Sequence, residues 1–148
     1  MKRAPIQIPR LVPVLVLALA AALAAACVPK PRIEYTSDQL LSLNETKELM
    51  RVLYHGLRPV WDSDKKSAFS AADYKAMAGA APRVLAVSKA LQFQVGRKYP
   101  KDFAARAAEL GKHAAALEKA AADSQEPAAR GAIKGLNASC KSCHSKYK

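Results

Sequence analysis

The feature that most constrains this chain of 148 residues is a C-x-x-C-H motif near its C-terminus, formed by Cys140, Cys143 and His144. Such a motif is the attachment signal for c-type haem: the two thiols bond to the haem vinyl groups and the histidine binds the iron. On a helix these positions are spaced i, i+3 and i+4, so their side chains project from one face. The motif therefore predicts one covalent haem c. Only four residues follow it, so a second axial ligand would come from upstream.

Other uses of a C-x-x-C pair fit this sequence less well. A structural zinc site needs four ligands, and the third cysteine, Cys27, lies far away near the N-terminus. A thioredoxin-type redox pair belongs beside a βαβ pattern, which the sequence lacks. An accidental tail is the remaining alternative, but haem attachment explains both cysteines and the histidine together.

The first 26 residues have the order of a secretory signal peptide. Three basic residues are followed by a largely apolar run over 11–23 and by three alanines directly before Cys27. The apolar run is shorter than a typical membrane span, although an uncleaved N-terminal anchor is the alternative. We therefore expect a periplasmic protein.

The residues that end at Cys27 resemble a bacterial lipobox, in which the cysteine is lipidated and becomes the mature N-terminus. Ala24 stands where leucine is usual, so ordinary cleavage near Cys27 is the alternative. We expect a signal peptide over 1–26, a tether over 27–37 that prolines keep extended, and a haem-binding bundle over 38–148. A lipidated Cys27 would make the protein a membrane-anchored lipoprotein.

The chain is strongly basic, with a net charge of +12 that falls to +9 once the three cations of the signal peptide are removed. Such a charge attracts acidic redox partner proteins or anionic membrane lipid, or serves solubility alone. Nucleic acid is not an expected partner, because the chain is exported and its charge is spread along the sequence rather than clustered.

The remaining sequence predicts an all-α fold, because it is rich in alanine and poor in β-branched runs. Four helices are predicted, over 38–57, 71–94, 101–122 and from about 127 to the C-terminus. Ser37 is the predicted N-cap of the first helix, with Pro59 beyond its end, and Pro82 predicts a kink or a break in the second. Their apolar seams have the 3-4 spacing that is typical of an antiparallel four-helix bundle.

The fourth predicted helix carries both motif cysteines on its apolar seam, which consists of Ala129, Ile133, Leu136, Cys140, Cys143 and Tyr147. A haem attached there would insert into the bundle core rather than lie outside it. The alanines of the third and fourth helices either leave room for a flat cofactor or simply favour helix formation.

An exported helical domain that has C-x-x-C-H in its last turns resembles the cytochrome c-prime family. There the motif is followed by two residues, an aromatic and a basic residue, here Ser145, Lys146, Tyr147 and Lys148. The resemblance implies a left-handed antiparallel four-helix bundle in the periplasm, often a homodimer, that transfers electrons or binds nitric oxide and carbon monoxide. It assigns the haem thioethers to Cys140 and Cys143, the proximal iron ligand to His144, and a place near the proximal face to Lys148.

This chain departs from the family pattern in its first predicted helix. Family members usually carry an Arg-Gln type pair near the haem propionates, and no such pair is evident here. Lys47 or Arg51 is the expected substitute. The departure leaves the propionate environment and the mode of dimerisation open.

The residue on the other side of the iron separates the functions. Met50 lies on the seam of the first predicted helix, and some relatives use a methionine of this helix as an iron ligand. A thioether ligand suits electron transfer, whereas an apolar residue leaves the position open to small gases. Core packing is the alternative role for Met50, because flush helices would place it about 10 Å from the level of His144.

The remaining candidates fit less well. His55 lies off the seam, His113 lies too deep along the third predicted helix, and Met77 is predicted to be core. Electron transfer is therefore the leading function, and a five-coordinate haem that binds or scavenges NO or CO is the alternative. We do not expect an enzyme, because no histidine shares a face with an arginine and no carboxylate falls on the seams.

Overall fold

The computed structural model describes residues 35–43 and 45–147, apart from the side chains of Ser37 and Arg97. The predicted signal peptide, the lipidation of Cys27 and the role of Lys148 lie outside the described residues. The described helices are α1 (Ser37–Ser42), α2 (Thr46–Asp64), α3 (Ala71–Ala90), α4 (Asp102–Ala122) and α5 (Glu126–Tyr147). A π-helical segment (Leu91–Val95) and a 3₁₀ turn (Gly96–Lys98) extend α3. No strand occurs in these ranges, and the all-α prediction is confirmed.

Helices α2 to α5 form the predicted antiparallel four-helix bundle. Near the end of α2, the Trp61 Nε1 atom donates to the Asn137 side-chain oxygen of α5 at 2.9 Å. Arg130, in the first turns of α5, donates to the carbonyl oxygen of Asp64, the last residue of α2, at 3.2 Å. The end of α2 therefore lies beside the start of α5, as an antiparallel pair requires.

The first predicted helix, 38–57, is in fact two helices. Helix α1 ends at Ser42, and α2 continues seven residues past Leu57. The N-cap of α1 is Thr36 rather than Ser37, because the Thr36 hydroxyl accepts from the Gln39 N–H at 3.3 Å and the Gln39 side chain accepts from the Thr36 N–H at 2.9 Å. Tyr35, which falls within the predicted tether, packs against the bundle core.

Pro59 and Pro82 both lie inside helices, and the prediction that Pro59 lies beyond the first helix is wrong. On either side of Pro59, Leu57 and Val60 are fully buried, so packing outweighs the hydrogen bond that the proline removes. Pro82 lies on the exposed side of α3, which runs on without a break. Met77 on the same helix is fully buried in the core, as predicted.

The loop between α2 and α3 is held by the buried carboxylate of Asp73. Asp73 accepts hydrogen bonds from Lys66 Nζ at 2.6 Å and from the Ser63 hydroxyl at 2.7 Å, and it forms a capping box with Ser70. These donors, Lys66 first, hold the pKa of Asp73 well below its ordinary value. The loop therefore fixes the turn between the first two bundle helices.

The core is built from leucine, valine and alanine side chains of all four bundle helices. Between α3 and α4 the approach is so close that a Cβ at Gly111 would lie 2.6 Å from the Ser88 hydroxyl oxygen. A larger residue at this position would therefore displace the Ser88 hydroxyl. Among the described helices, none combines the length and apolar character needed to cross a membrane.

Candidate haem site

A cavity of about 550 Å³ lies among α2, α4, α5 and the segment that joins α3 to α4. Its volume is within the range of about 300–1,000 Å³ that is typical of cofactor pockets. Most of its walls are apolar or aromatic. The lining residues are Thr46, Lys47, Met50, Leu53, Tyr54, Leu57, Trp61, Leu91, Tyr99, Phe103, Arg106, Ala107, Leu110, Ser139, Cys140, Cys143, His144 and Tyr147.

Helix α5 presents all three motif side chains to this cavity. Cys140 and Cys143 are half-buried and His144 is exposed at the edge. Burial raises the pKa of both thiols, and the neighbouring Cys143 raises that of Cys140 further. Earlier residues of the seam, such as Ile133 and Leu136, are fully buried. The seam of α5 therefore passes from the bundle core into the cavity wall at Cys140, while the roles of the three residues in haem binding stay predictions.

Met50 lines the same cavity from α2 and packs against the core. The sequence predicted that Met50 would lie about 10 Å from the level of His144 along the bundle. That prediction assumed that the helix of Met50 starts near Asp38. Because the bundle helix instead starts at Thr46, Met50 lies near its beginning, which in an antiparallel pair faces the end of α5. Its position is thus compatible with a second iron ligand, which remains a prediction.

The other sequence candidates divide clearly between the cavity and the rest of the bundle. Lys47 lines the cavity, whereas Arg51 lies outside the lining and forms an ion pair with Glu48 at 3.5 Å. His55 and His113 do not line the cavity. His55 lies against the Tyr54 ring, with centroids 5.5 Å apart, and His113 packs so closely on α5 that a Cβ at Gly135 would collide with it.

Arg106 of α4 is a cavity residue that sequence reasoning missed. Its guanidinium donates to the carbonyl oxygen of Ser142 at 3.2 Å and also to the Ser142 hydroxyl. Asp102, one turn earlier, accepts from the Arg106 Nε atom at 3.3 Å. Ser142 lies between the two motif cysteines, so Arg106 ties α4 to the motif and adds a positive charge to the cavity wall. The available signal was its i, i+4 spacing from Asp102.

An aromatic cluster closes the end of the cavity where α5 stops. Tyr99 stacks on Phe103 with ring centroids 4.4 Å apart, and Tyr147 meets Phe103 edge-on at 5.1 Å. Asp102 accepts from the Tyr147 hydroxyl at 2.5 Å and from Lys146 Nζ at 2.6 Å. These two donors, Lys146 first, hold the pKa of Asp102 well below its ordinary value. The cluster therefore fixes the last turn of α5 beside the start of α4.

The donor set of the cavity fits a covalent haem. Two thiols and an imidazole project from one helix, apolar side chains surround them, and Lys47 and Arg106 are suited to the carboxylates that haem carries. Within residues 35–43 and 45–147, no group of three or more histidine, cysteine or acidic side chains is placed to bind a bare metal ion. The arrangement fits haem iron better than the structural zinc considered from the sequence.

Comparison with known proteins supports the C-terminal part of this picture. The model of the family described as cytochrome C' matches residues 98–148. Neither the curated proteins nor the solved structures contain a match to the chain. The matched residues include all of α4 and α5, with Arg106, the aromatic cluster and the C-x-x-C-H motif. The resemblance predicted from the sequence is confirmed for this C-terminal region, which matches the cytochrome c-prime family of haem proteins.

Proposed function

We propose that this protein is an exported c-type cytochrome that transfers electrons through the iron of one covalent haem. The observation that carries the proposal is that the Cys140 and Cys143 thiols, the His144 imidazole and the Met50 thioether line one cavity from two facing helices. The cysteines would hold the haem, and His144 and Met50 would bind its iron. When bound, the haem supplies the exchange of one electron between ferrous and ferric iron.

The surrounding side chains have separate tasks in this proposal. Leu53, Leu57 and Leu110 exclude water from the cavity, and burial of this kind tunes the reduction potential of a haem. Lys47 and Arg106 offset the charge of the haem propionates. Through Ser142, Arg106 also keeps the motif turn in place.

A second function is favoured by the apolar surroundings of Met50. If Met50 serves only to pack the cavity, the other side chains around it in the cavity wall are largely hydrocarbon, such as Leu53, Leu57 and Leu91, and would offer the iron no second ligand. An open, apolar position of this kind suits the binding or scavenging of NO or CO. Met50 therefore decides between the two functions.

The reduced visible spectrum of the purified holoprotein, recorded before and after addition of carbon monoxide, tests this choice. A sharp low-spin α band that the gas does not move is expected, and Met50→Leu should convert it to a high-spin spectrum that responds to the gas. Met77→Leu is the matched control, because this buried methionine lies outside the cavity lining. A wild-type spectrum that already shifts with carbon monoxide would favour the gas-binding function.

Catalysis is not part of the proposal. The described lining of the cavity contains arginine, lysine and histidine but no aspartate or glutamate, and general acid–base chemistry on a haem-bound substrate needs a well-placed pair. Peroxidase turnover close to that of free haem is the expected result for the holoprotein.

Location and anchoring rest on the N-terminal sequence. The basic, apolar and small-residue order of residues 1–26 supports export to the periplasm, and the lipobox-like residues before Cys27 support a lipid anchor. Intact-mass analysis of the protein from membrane and periplasmic fractions tests both. Diacylglycerol on Cys27 supports the lipoprotein, and an unmodified soluble form supports ordinary cleavage. Gel filtration of the same sample tests for a homodimer.

A further inference from the structure

An exposed phenylalanine marks the π-helical extension of α3. Phe93 is 65% exposed, and Tyr54 is the other large hydrophobic side chain that is exposed among the described residues. The residues two positions before and after Phe93, Leu91 and Val95, are buried in the core, so the ring between them faces solvent. Single exposed apolar residues are common on protein surfaces, so the meaning of Phe93 depends on what surrounds it.

The surroundings of Phe93 are basic. Residues 74–101 contain six cations and no aspartate or glutamate. Lys89 precedes Phe93 by about one helical turn, and Lys98 and Lys101 follow it in the connection to α4. We use the name α3 tip for these four exposed residues, Lys89, Phe93, Lys98 and Lys101. The tip therefore combines an apolar ring with cations and carries no acidic side chain of its own.

The first described residue lies at the same end of the bundle as the α3 tip. The Tyr35 hydroxyl donates to a Glu48 carboxylate oxygen at 2.5 Å, in the first turn of α2. The hydroxyl groups of Thr46, the first residue of α2, and of Tyr99, the residue after Lys98, share a hydrogen bond at 3.3 Å. Helix α1 also packs against α3. Tyr35 and the α3 tip are therefore linked through the start of α2.

A lipid on Cys27 would hold the protein by this end. Cys27 precedes Tyr35 by eight residues, and an extended residue spans at most about 3.6 Å, so such a lipid is tethered within about 29 Å of Tyr35. Helices of about 20 residues are about 30 Å long, so a bilayer that holds the lipid meets the tip more readily than the far end of the bundle. The proposed anchor and the α3 tip thus favour the same orientation.

Acidic residues near this end offset only part of the positive charge. The chain over 35–51 carries two cations and three acidic residues, which are Asp38, Glu45 and Glu48. Glu48 is paired with Arg51 at 3.5 Å, and Asp102 at the start of α4 is paired with Lys146 at 2.6 Å. The α3 tip therefore keeps a net positive charge, which attracts anionic surfaces.

From these observations we infer that the α3 tip docks on the surface of an anionic lipid bilayer, with the Phe93 ring inserted among the headgroups. Interfacial binding of this kind combines burial of apolar area with attraction between lysines and lipid phosphates. A protein partner fits less well, because lysine is depleted at protein interfaces, whereas it is typical of segments that lie on membranes. The inference goes beyond the proposed electron transfer and does not depend on it. The proposed lipid anchor supports the orientation only.

Sedimentation of the holoprotein with phosphatidylglycerol vesicles tests the inference. The mature chain carries Cys27→Ser and is exported behind the signal peptide of a soluble periplasmic protein, so that no lipid anchor contributes to binding. In about 50 mM salt, Lys98→Glu with Lys101→Glu should lower the partition coefficient about tenfold or more. Phe93→Ala should lower it about fivefold or more, because the inserted ring is lost. At about 1 M salt the effect of the lysine changes should vanish.

Two control variants make the test specific to the α3 tip. Lys75→Glu with Lys119→Glu is the same charge change at exposed positions, each about 27 Å along its helix from the tip. This variant should show less than about a third of the effect of the tip lysines. Tyr54→Ala removes the other exposed ring and should leave the partition coefficient within about twofold of its unsubstituted value. The visible haem spectrum of each variant reports whether the bundle is intact.

Three results would overturn the inference. If the chain without tip substitutions does not sediment with the vesicles, a protein is left as the occupant of the tip. Equal losses in the tip and far-end lysine variants would mean that net charge alone causes binding. Unchanged binding of Phe93→Ala would mean that the ring is not inserted. The intact mass of the native protein tests the Cys27 anchor separately, so failure of the anchor and failure of the tip give different results.

Discussion

The two halves of this bundle are packed in opposite ways. Helices α3 and α4 approach so closely that the Ser88 hydroxyl donates to the carbonyl oxygen of Ala107 at 2.7 Å, and Gly111 fits beneath the same serine. Helices α2 and α5 are separated by the cavity over much of their length and meet through polar contacts, such as that of Trp61 with Asn137. One half is therefore closed by small residues and the other is held open by large ones.

Alanine content alone therefore does not locate the cofactor cavity. Most seam alanines, such as Ala114 and Ala129, are fully buried in closely packed parts of the bundle, and Ala107 is the alanine among the described cavity-lining residues. The cavity forms where leucine, methionine and tryptophan side chains of α2 face α5. Small side chains bring helices together, whereas a cavity needs long side chains around its edge.

The largest effect is expected on haem attachment, in the half of the bundle that contains the cavity. Replacement of both Cys140 and Cys143 by alanine should abolish covalent haem attachment, because it removes both thioether donors, while α3 and α4 stay packed. Acid-acetone extraction of the haem, with far-ultraviolet circular dichroism as the measure of helix content, checks this result. Cys27→Ser is the control and should retain the haem. Covalent haem that persists in the double variant would contradict the proposed site.

A pair of glycine substitutions tests how closely α3 and α4 are packed. Gly111→Val should lower the free energy of unfolding by about 1–3 kcal/mol, because the new side chain overlaps Ser88 in a tightly packed contact. The same change at Gly131 of α5, where an added Cβ meets nothing within 4 Å, should change stability little. Urea unfolding of the two variants measures the difference, and equal values would mean that the α3–α4 contact is looser than described.

A smaller effect on stability is expected when the contact between α2 and α5 is removed. Trp61→Phe removes the hydrogen bond to Asn137 and should lower the free energy of unfolding by about 0.5–1.5 kcal/mol. Tyr54→Phe, which keeps an aromatic ring next to Trp61 at an exposed position, should change it less. Thermal unfolding of both variants is the measurement. If Trp61→Phe is as stable as the wild type, the two helices are held together by other contacts.

The smallest effect depends on pH. The pKa of Asp73 is lowered in the folded protein, so its contribution to stability is present above the pKa of about 4 that an unfolded aspartate has. That contribution is lost as the pH falls towards the lower folded value. Asp73→Asn should therefore weaken the loss of stability in acid. Asp62→Asn removes an exposed carboxylate paired with Lys65 at 2.8 Å, and this variant should still lose most of the stability that the wild type loses in acid. Melting temperatures between pH 7 and pH 3 compare the variants, and parallel curves for wild type and Asp73→Asn would exclude Asp73 as the source.

Much of the fold could be predicted from periodicity, and the exceptions have physical causes. The bounds of α4 and α5 match the predicted ranges within about one residue because their seams are regular and their ends carry clear breakers. The break after α1 was missed because Leu43 and Thr46 continue the 3-4 spacing across it, so the apolar pattern does not register the change of direction.

The candidate site was only partly visible in the sequence. The C-x-x-C-H motif is local and identifies its own residues. Arg106 and Tyr99 reach the cavity because α4 lies antiparallel to α5, which brings together positions that are far apart in the chain, such as Arg106 and Ser142. Contacts of this kind depend on tertiary packing and leave no periodic pattern.

The π-helical segment Leu91–Val95 makes the chain tolerant of a change in length beside the cavity. A π-helical turn holds one residue more than the α-helical turn it replaces. Deletion of one residue here would restore ordinary i to i+4 bonding and leave the seam of α3 up to Ala90 in place. The residues that follow the deletion would turn, and they include Tyr99, which now lines the cavity. The shape of the haem cavity and the packing of α3 against α4 are thus separable: one can change by a single residue while the other stays fixed.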